Sequence, residues 1–153
     1  MRRRNEGKAD EMNAVRLVAI FAENKPGLLA RVTRILADAG VNIRWVTIAT
    51  SERFGVIKVL ADQSERAFAN LKDHGLAVSL LDVLAVEVED QPGALHAVVD
   101  CLARRQINVE NASGYVVQQR AVLLIEVKAL AEAQQVLQEE GLRVLSPEEM
   151  LRL

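Results

Sequence analysis

The chain has 153 residues, half of them hydrophobic but only 3 % aromatic, and carries a net charge of −2. That balance offers nothing to a phosphate backbone, so no nucleic acid is expected as a partner. No apolar run approaches the roughly 18 residues of a membrane span, so no membrane is expected either. One cysteine, Cys101, cannot close an internal disulfide, and Arg2-Arg3-Arg4 leads into a polar stretch rather than a secretory leader. A reducing, cytoplasmic setting is the expectation.

Residues 1–14 are rich in charge and poor in apolar side chains, which predicts a disordered tail, with Met12 an alternative start. Val15 to Ala22 reads as a strand, with Val18, Ile20 and Ala22 on one face and Leu17, Ala19 and Phe21 on the other. Both faces are apolar, so neither is expected to stay in water. Asn24-Lys25-Pro26-Gly27 breaks the strand, and proline suits a helix start because its missing N–H is an orphan there. Leu28, Leu29, Val32, Ile35, Leu36 and Ala39 then form a helical stripe, closed by Gly40 as a left-handed cap. Val41–Thr50 and Phe54–Ala61 read as strands joined by a hairpin at Ser51-Glu52-Arg53. Ser64 reads as the N-cap of a second helix, whose inner stripe is Ala67, Phe68 and Leu71 and whose end is Gly75. Leu76–Leu81 completes the unit as a fourth strand. Strand, helix, strand, strand, helix, strand is the ferredoxin-like βαββαβ pattern: α+β, an antiparallel sheet with both helices on one face.

The pattern then repeats. A shift of 66 residues takes Pro26-Gly27 to Pro92-Gly93, Leu29 to Leu95, Val32 to Val98, Asn42 to Asn108 and Gly75-Leu76 to Gly141-Leu142. A period held without insertion means two copies of one unit. The expected domains are 15–82 and 83–153. A unit of that size buries only about 60 % of its unfolded surface and leans on a neighbour. Leu17, Ala19 and Phe21, with Val122 and Leu124 in the second copy, lie on the sheet face away from the helices, so a cover is expected there, within the chain or across a homodimer. Trp45 reads as a core or interface residue, with a pocket wall as the alternative.

Little in the sequence supports catalysis. His74 sits at a helix end and His96 on a first helix turn, neither with a ligand partner at metal spacing, so no metal and no cofactor are expected. Cys101 matches Ile35 of the other copy and reads as a buried thiol. No nucleophile triad, phosphate loop or carboxylate pair stands out, and an enzyme is disfavoured. What remains is the strand–helix turn. A helix start presents unpaired backbone N–H groups, Gly27 allows close approach to them, and the side-chain amides of Asn24 and Asn42 can serve an ammonium and a carboxylate. The helix links the first two strands, so a residue at the end of one is expected to approach the start of the other, and these groups then describe a site for an α-amino acid. The second copy offers Asp90, Gly93 and Asn108. A plainer reading has Asn24 capping its helix and Asn42 satisfying the first backbone groups of its strand.

The string N-K-P-G-L-L…G-V-N-I, with its second copy D-Q-P-G-A-L…Q-I-N-V, resembles the ACT domain, and two such units alone resemble the small tandem-ACT proteins. The resemblance covers residues 15–147. It implies a regulatory module of amino-acid metabolism that binds a small ligand, usually an amino acid, between paired domains. It also implies a homodimer and a partner enzyme. By position, the site it implies is Asn24, Lys25, Pro26, Gly27, Leu28, Asn42 and Ile43, with Asp90, Gly93, Ala94, Asn108 and Val109 in the second copy. Two residues depart from the serine-sensing pattern: Ala22 stands where those members carry a histidine, and Gln106 where a glycine precedes the second-strand Asn. The rival readings are an oligomerisation module or regulatory subunit without its own ligand, and an RNA-binding fold. Arg53-Phe54-Gly55-Val56 only faintly matches the latter's third-strand motif, and Ile57 and Val59 are not aromatic.

Overall fold

The computed structural model describes residues 12–153. The expected tail therefore falls mostly outside the described residues, including Arg2 to Arg4. Its last part does not: β1 starts at Ala14, and Asn13 donates from its backbone N–H to Gln134 Oε1 at 2.8 Å and from Nδ2 to the Val144 carbonyl at 3.2 Å.

The elements run β1 (Ala14–Glu23), α1 (Leu28–Asp38), β2 (Ile43–Ser51), β3 (Phe54–Ala61), α2 (Ser64–Asp73), β4 (Ala77–Glu89), α3 (Ala94–Arg104), β5 (Asn111–Val117), β6 (Arg120–Glu126), α4 (Leu130–Glu139), β7 (Arg143–Leu145) and α5 (Pro147–Arg152). Contacts divide the chain into two compact units, residues 15–83 and 84–151. The four principal helices superpose on the 66-residue repeat: α1 on α3 and α2 on α4 start and stop at matched positions. The fourth strand of the first unit and the first strand of the second are one element, β4, which gives its first half to one unit and its second half to the other. No turn residue interrupts residues 77–89, and that is why two expected strands fuse.

In the N-terminal unit the strand order is β2-β3-β1-β4, and in the C-terminal unit β7-β4-β6-β5. Both are ferredoxin-like with antiparallel pairing. The core of the N-terminal unit joins Val18, Ile20, Ile57 and Val59 from the sheet to Val32, Ile35, Leu36, Ala67 and Leu71 from the helices, so both helices lie on one face. The C-terminal core repeats this with Leu84, Val86, Leu123 and Ile125 against Val98, Leu102, Ala133 and Leu137. Burying each such aliphatic side chain stabilises the fold by about 1.5–3 kcal/mol.

Several local expectations are revised. Leu29 and Leu95 are exposed rather than part of the inner stripe. Gln63, not Ser64, precedes α2, and Ser64 Oγ instead donates to the Arg16 carbonyl at 3.1 Å. Ile107 precedes β5 rather than opening it. The terminal helix α5 was not legible as an element. Ser146 caps it in a box with Glu149, and Met150 is buried. On the faces away from the helices, Leu17, Ala19, Val122 and Leu124 are all buried within the single chain, whereas Phe21 is 49 % exposed.

Candidate ligand-binding site

The turn between β1 and α1 is built around Gly27, the residue before the helix, at φ 87° and ψ −10°. Only glycine takes that left-handed conformation without strain. Its carbonyl accepts from Arg31 N–H at 2.9 Å, starting the helical ladder. No side chain caps α1 and no acidic residue sits in its first turn. Leu28 N–H turns back to the Lys25 carbonyl at 3.4 Å, and the next backbone donors of the first turn are left to solvent or a guest, with the helix dipole behind them.

Asn24 does not cap the helix. Its backbone N–H donates to the Arg53 carbonyl at 2.7 Å, and Nδ2 donates to the Glu52 carbonyl at 3.4 Å, so it ties the turn to the β2–β3 hairpin. That use of the amide leaves its carbonyl oxygen as an acceptor. Lys25 Nζ pairs with Glu23 at 2.9 Å, and Asn24, Lys25, Pro26 and Gly27 are all exposed, with Leu28 half-buried beneath them.

Asn42 lies just before β2, which starts at the half-buried Ile43. Its backbone is served by Asp62: Asp62 Oδ1 accepts from Asn42 N–H at 2.9 Å, and Asp62 N–H donates to the Asn42 carbonyl at 3.1 Å. The Asn42 side chain is exposed and makes no hydrogen bond among the described residues. Asn24 thus satisfies a backbone carbonyl of the hairpin rather than a helix N–H, and the backbone at Asn42 is served by Asp62 rather than by the Asn42 side chain.

The two amides are not neighbours within one unit, contrary to expectation. β1 and β2 are both antiparallel to β3, hence parallel to each other, so the end of β1 is level with the end of β2. Asn24 sits by Arg53 at one end of the sheet and Asn42 by Asp62 at the other. The intervening strand length is roughly 25–30 Å at about 3.3 Å per residue.

The C-terminal copy keeps the turn but not the clasp. Gly93 has φ 87° and is uncapped like Gly27, and Ala94 N–H reaches the Gln91 carbonyl at 3.2 Å. Asp90 N–H donates to the Gln119 carbonyl at 3.4 Å, and Asp90, Gln91 and Gln119 help line a cavity of about 510 Å³ with Glu89 and Arg120. Lys128 stands where the first copy has Asp62, paired with Glu110 at 3.4 Å, and Asn108 and Val109 precede a β5 that begins only at Asn111. Gln106 takes φ 58° where Gly40 takes 69°. The backbone course is kept, at a strain of about 1–2 kcal/mol.

His74 caps the end of α2 with Nδ1 2.7 Å from the Asn70 carbonyl, and His96 is exposed. Cys101 is buried, its Sγ 3.0 Å from the Val98 carbonyl, and burial pushes its thiol pKa up, which makes it a poor nucleophile. Among the described residues no group of three metal-binding side chains gathers, and no helix is long and apolar enough to cross a membrane. Asp62 and the hairpin carbonyls of Glu52 and Arg53 were missed from the sequence. The signal for Asp62 was present: a carboxylate directly after a strand, opposite the start of its neighbour.

A duplicated ferredoxin-like module, each copy opening its first helix without a side-chain cap behind a Pro-Gly turn, defines the class. The chain belongs to the ACT domain pair family, whose model matches residues 13–153. Among solved structures it is similar to the Bacteroides thetaiotaomicron protein BT0572, at 27 % identity and a TM-score of 0.87, over 92 % of this chain and 98 % of that one. It shares its fold with the regulatory subunit of aspartate kinase from Thermus thermophilus, at 15 % identity and a TM-score of 0.62, over 85 % of this chain and 94 % of the other. No protein of curated function matches by sequence.

Proposed function

We propose that the protein is a cytoplasmic regulatory protein that binds an amino acid at the β1–α1 turn and acts on a partner enzyme of amino-acid metabolism. The observation that carries this is the uncapped start of α1, with Asn24 held back to the hairpin instead of closing it. Bare N–H groups suit a carboxylate, and amide oxygens suit an ammonium. The Thermus thermophilus protein of like fold is itself a regulatory subunit.

The separation of Asn24 from Asn42 points to a homodimer as the working form. β2 is the outer strand of its sheet, and Trp45 to Ser51 carries no charge to guard that edge. Val46 and Ile48 are 44 % and 45 % exposed along it. Antiparallel pairing of β2 with β2 of a second copy brings the start of one strand beside the end of the other. Asn42 and Ile43 of one protomer then approach the Asn24–Leu28 turn of its mate. In the C-terminal copy Asp90, Gly93, Ala94, Asn108 and Val109 form a weaker version of the site, lacking the Asp62 clasp.

A thermal-shift screen against the common amino acids tests the reading, because a ligand at 100 times its Kd adds about 2.7 kcal/mol to stability. Such a hit should be lost in Asn24→Ala and in Asn42→Ala. Val46→Lys/Ile48→Lys should give monomers by light scattering. If the chain dimerises but no amino acid stabilises it, the fold serves only to oligomerise.

A further inference from the structure

On the sheet face away from the helices, the hairpin end of the N-terminal unit carries an apolar hollow of about 550 Å³. Its floor is one row across three strands: Phe21 on β1 is paired with Val56 on β3, which is paired with Ala49 on β2. The next row sets Phe54 between Glu23 and Ser51. Phe21 is 49 % exposed and Phe54 67 %. Farther along the same face Ala19 and Leu17 are buried, so the hollow begins where the internal cover of the face stops.

The repeat shows that the apolar lining of this opening is not a requirement of the fold. The position of Phe21 is held in the second copy by Glu87, and that of Phe54 by Arg120. There Glu87, only 11 % exposed, pairs with Arg120 at 3.0 Å and Arg143 at 2.9 Å, and the hairpin-end cavity beside Glu89 and Arg120 is lined by polar and charged side chains instead of aromatic carbon. Two phenylalanines standing half in water cost solvation that a closed surface avoids, so an occupant stabilises them.

Size decides what kind of occupant fits. Three strands span about 10 Å and two rows about 7 Å, one or two fused rings in extent. A stable protein interface needs about 800 Å² per partner, far more than this floor supplies. Charge narrows the chemistry further. Glu23 is already neutralised by Lys25 at 2.9 Å, so the rim asks for no net charge, and Ser51 supplies one hydroxyl that donates or accepts. The geometry points to a second binding site, on the opposite face from the amino-acid turn, for an aromatic small molecule of one or two rings with no net charge and a single hydrogen-bonding group. Its ring stacks edge-to-face with Phe21 and Phe54 over Val56 and Ala49.

The test is titration of the full chain with indole, followed by amide NMR. Shifts confined to the amides of Phe21, Ala49, Ser51 and Gly55 are the expected result. Phe21→Glu/Phe54→Arg installs the residues the second copy uses and should weaken indole binding about tenfold, the scale of one or two aromatic pairs. Phe54→Ser, at the more exposed position, serves as the second variant if the double variant fails to fold. Asn42→Ala, at the far end of the sheet beside Asp62, should leave indole binding unchanged, which separates this site from the amino-acid site. Shifts that are absent or scattered over the surface overturn the proposal, as does undiminished binding in the variants. A change of oligomeric state in the double variant, without indole binding in the parent, overturns it in favour of a protein contact.

Discussion

Replacing Gly27 by alanine isolates the backbone conformation on which the bare helix start depends. Gly27 and Gly93 share φ 87° and nearly the same ψ, and a Cβ built on either meets no atom within 4 Å. Sterics therefore contribute nothing, and the whole effect is conformational. Holding an L-residue in the left-handed region costs about 1–2 kcal/mol. Alanine also restricts the unfolded chain, which offsets about 0.4–1 kcal/mol of that. The net expectation is a loss of about 1 kcal/mol for Gly27→Ala, a fall in Tm of about 2–4 °C for a chain of this length. Gly93→Ala should cost the same amount, and the double variant about twice as much. Gln106→Gly works in the opposite direction, because Gln106 sits at φ 58° and glycine relieves it, for a gain of about 0.5 kcal/mol. Urea titration followed by circular dichroism reads all four variants. Gly27→Ala that is neutral or stabilising would refute the reasoning, since that sign belongs to a glycine in an ordinary helical conformation.

Two further effects follow from the site and from the terminal helix. Asp62→Ala removes the acceptor of Asn42 N–H and should cost about 0.5–1 kcal/mol, because Asn42 is exposed and Asp62 only half-buried. Faster hydrogen exchange at the Asn42 amide checks it, and a weaker amino-acid response should accompany it. Glu149 has its pKa held below the usual glutamate value, first by the Ser146 backbone N–H and next by Arg143. A depressed folded pKa means that this stabilisation is complete above the unfolded value and lost as pH falls through the folded one. α5 should therefore loosen only below about pH 4.3, where an ordinary glutamate is already half-protonated. The methyl resonance of Met150 reports it, and Glu149→Gln should remove the pH dependence of that resonance.

The sequence carried a large part of this because helix and turn signals are local. Pro-Gly before α1 and α3, and glycine after α1, α2 and α4, mark chain reversals through backbone preferences that operate within a few residues. The glycines were legible as caps and approach points. That Gly27 and Gly93 themselves take positive φ at the helix start was not, because glycine in a turn admits several conformations. The candidate residues were also legible, but what their side chains do was not. Whether Asn24 caps a helix or ties down a hairpin depends on where residues 52–53 come to rest, 28 positions away.

The duplication, the βαββαβ order within each copy (though not the terminal α5 or the fusion into β4) and the aliphatic parity of the strands follow from the sequence alone, since each is a periodicity along the chain. Tertiary structure decided the rest. Strand pairing set β1 parallel to β2 and so put Asn24 and Asn42 at opposite ends of one sheet, and it lined up Phe21, Val56 and Ala49 across three strands as an open apolar floor. The hairpin turn fixes β2 against β3 locally, but the register of β1 on β3 relates distant segments and is settled by which alignment buries the apolar face.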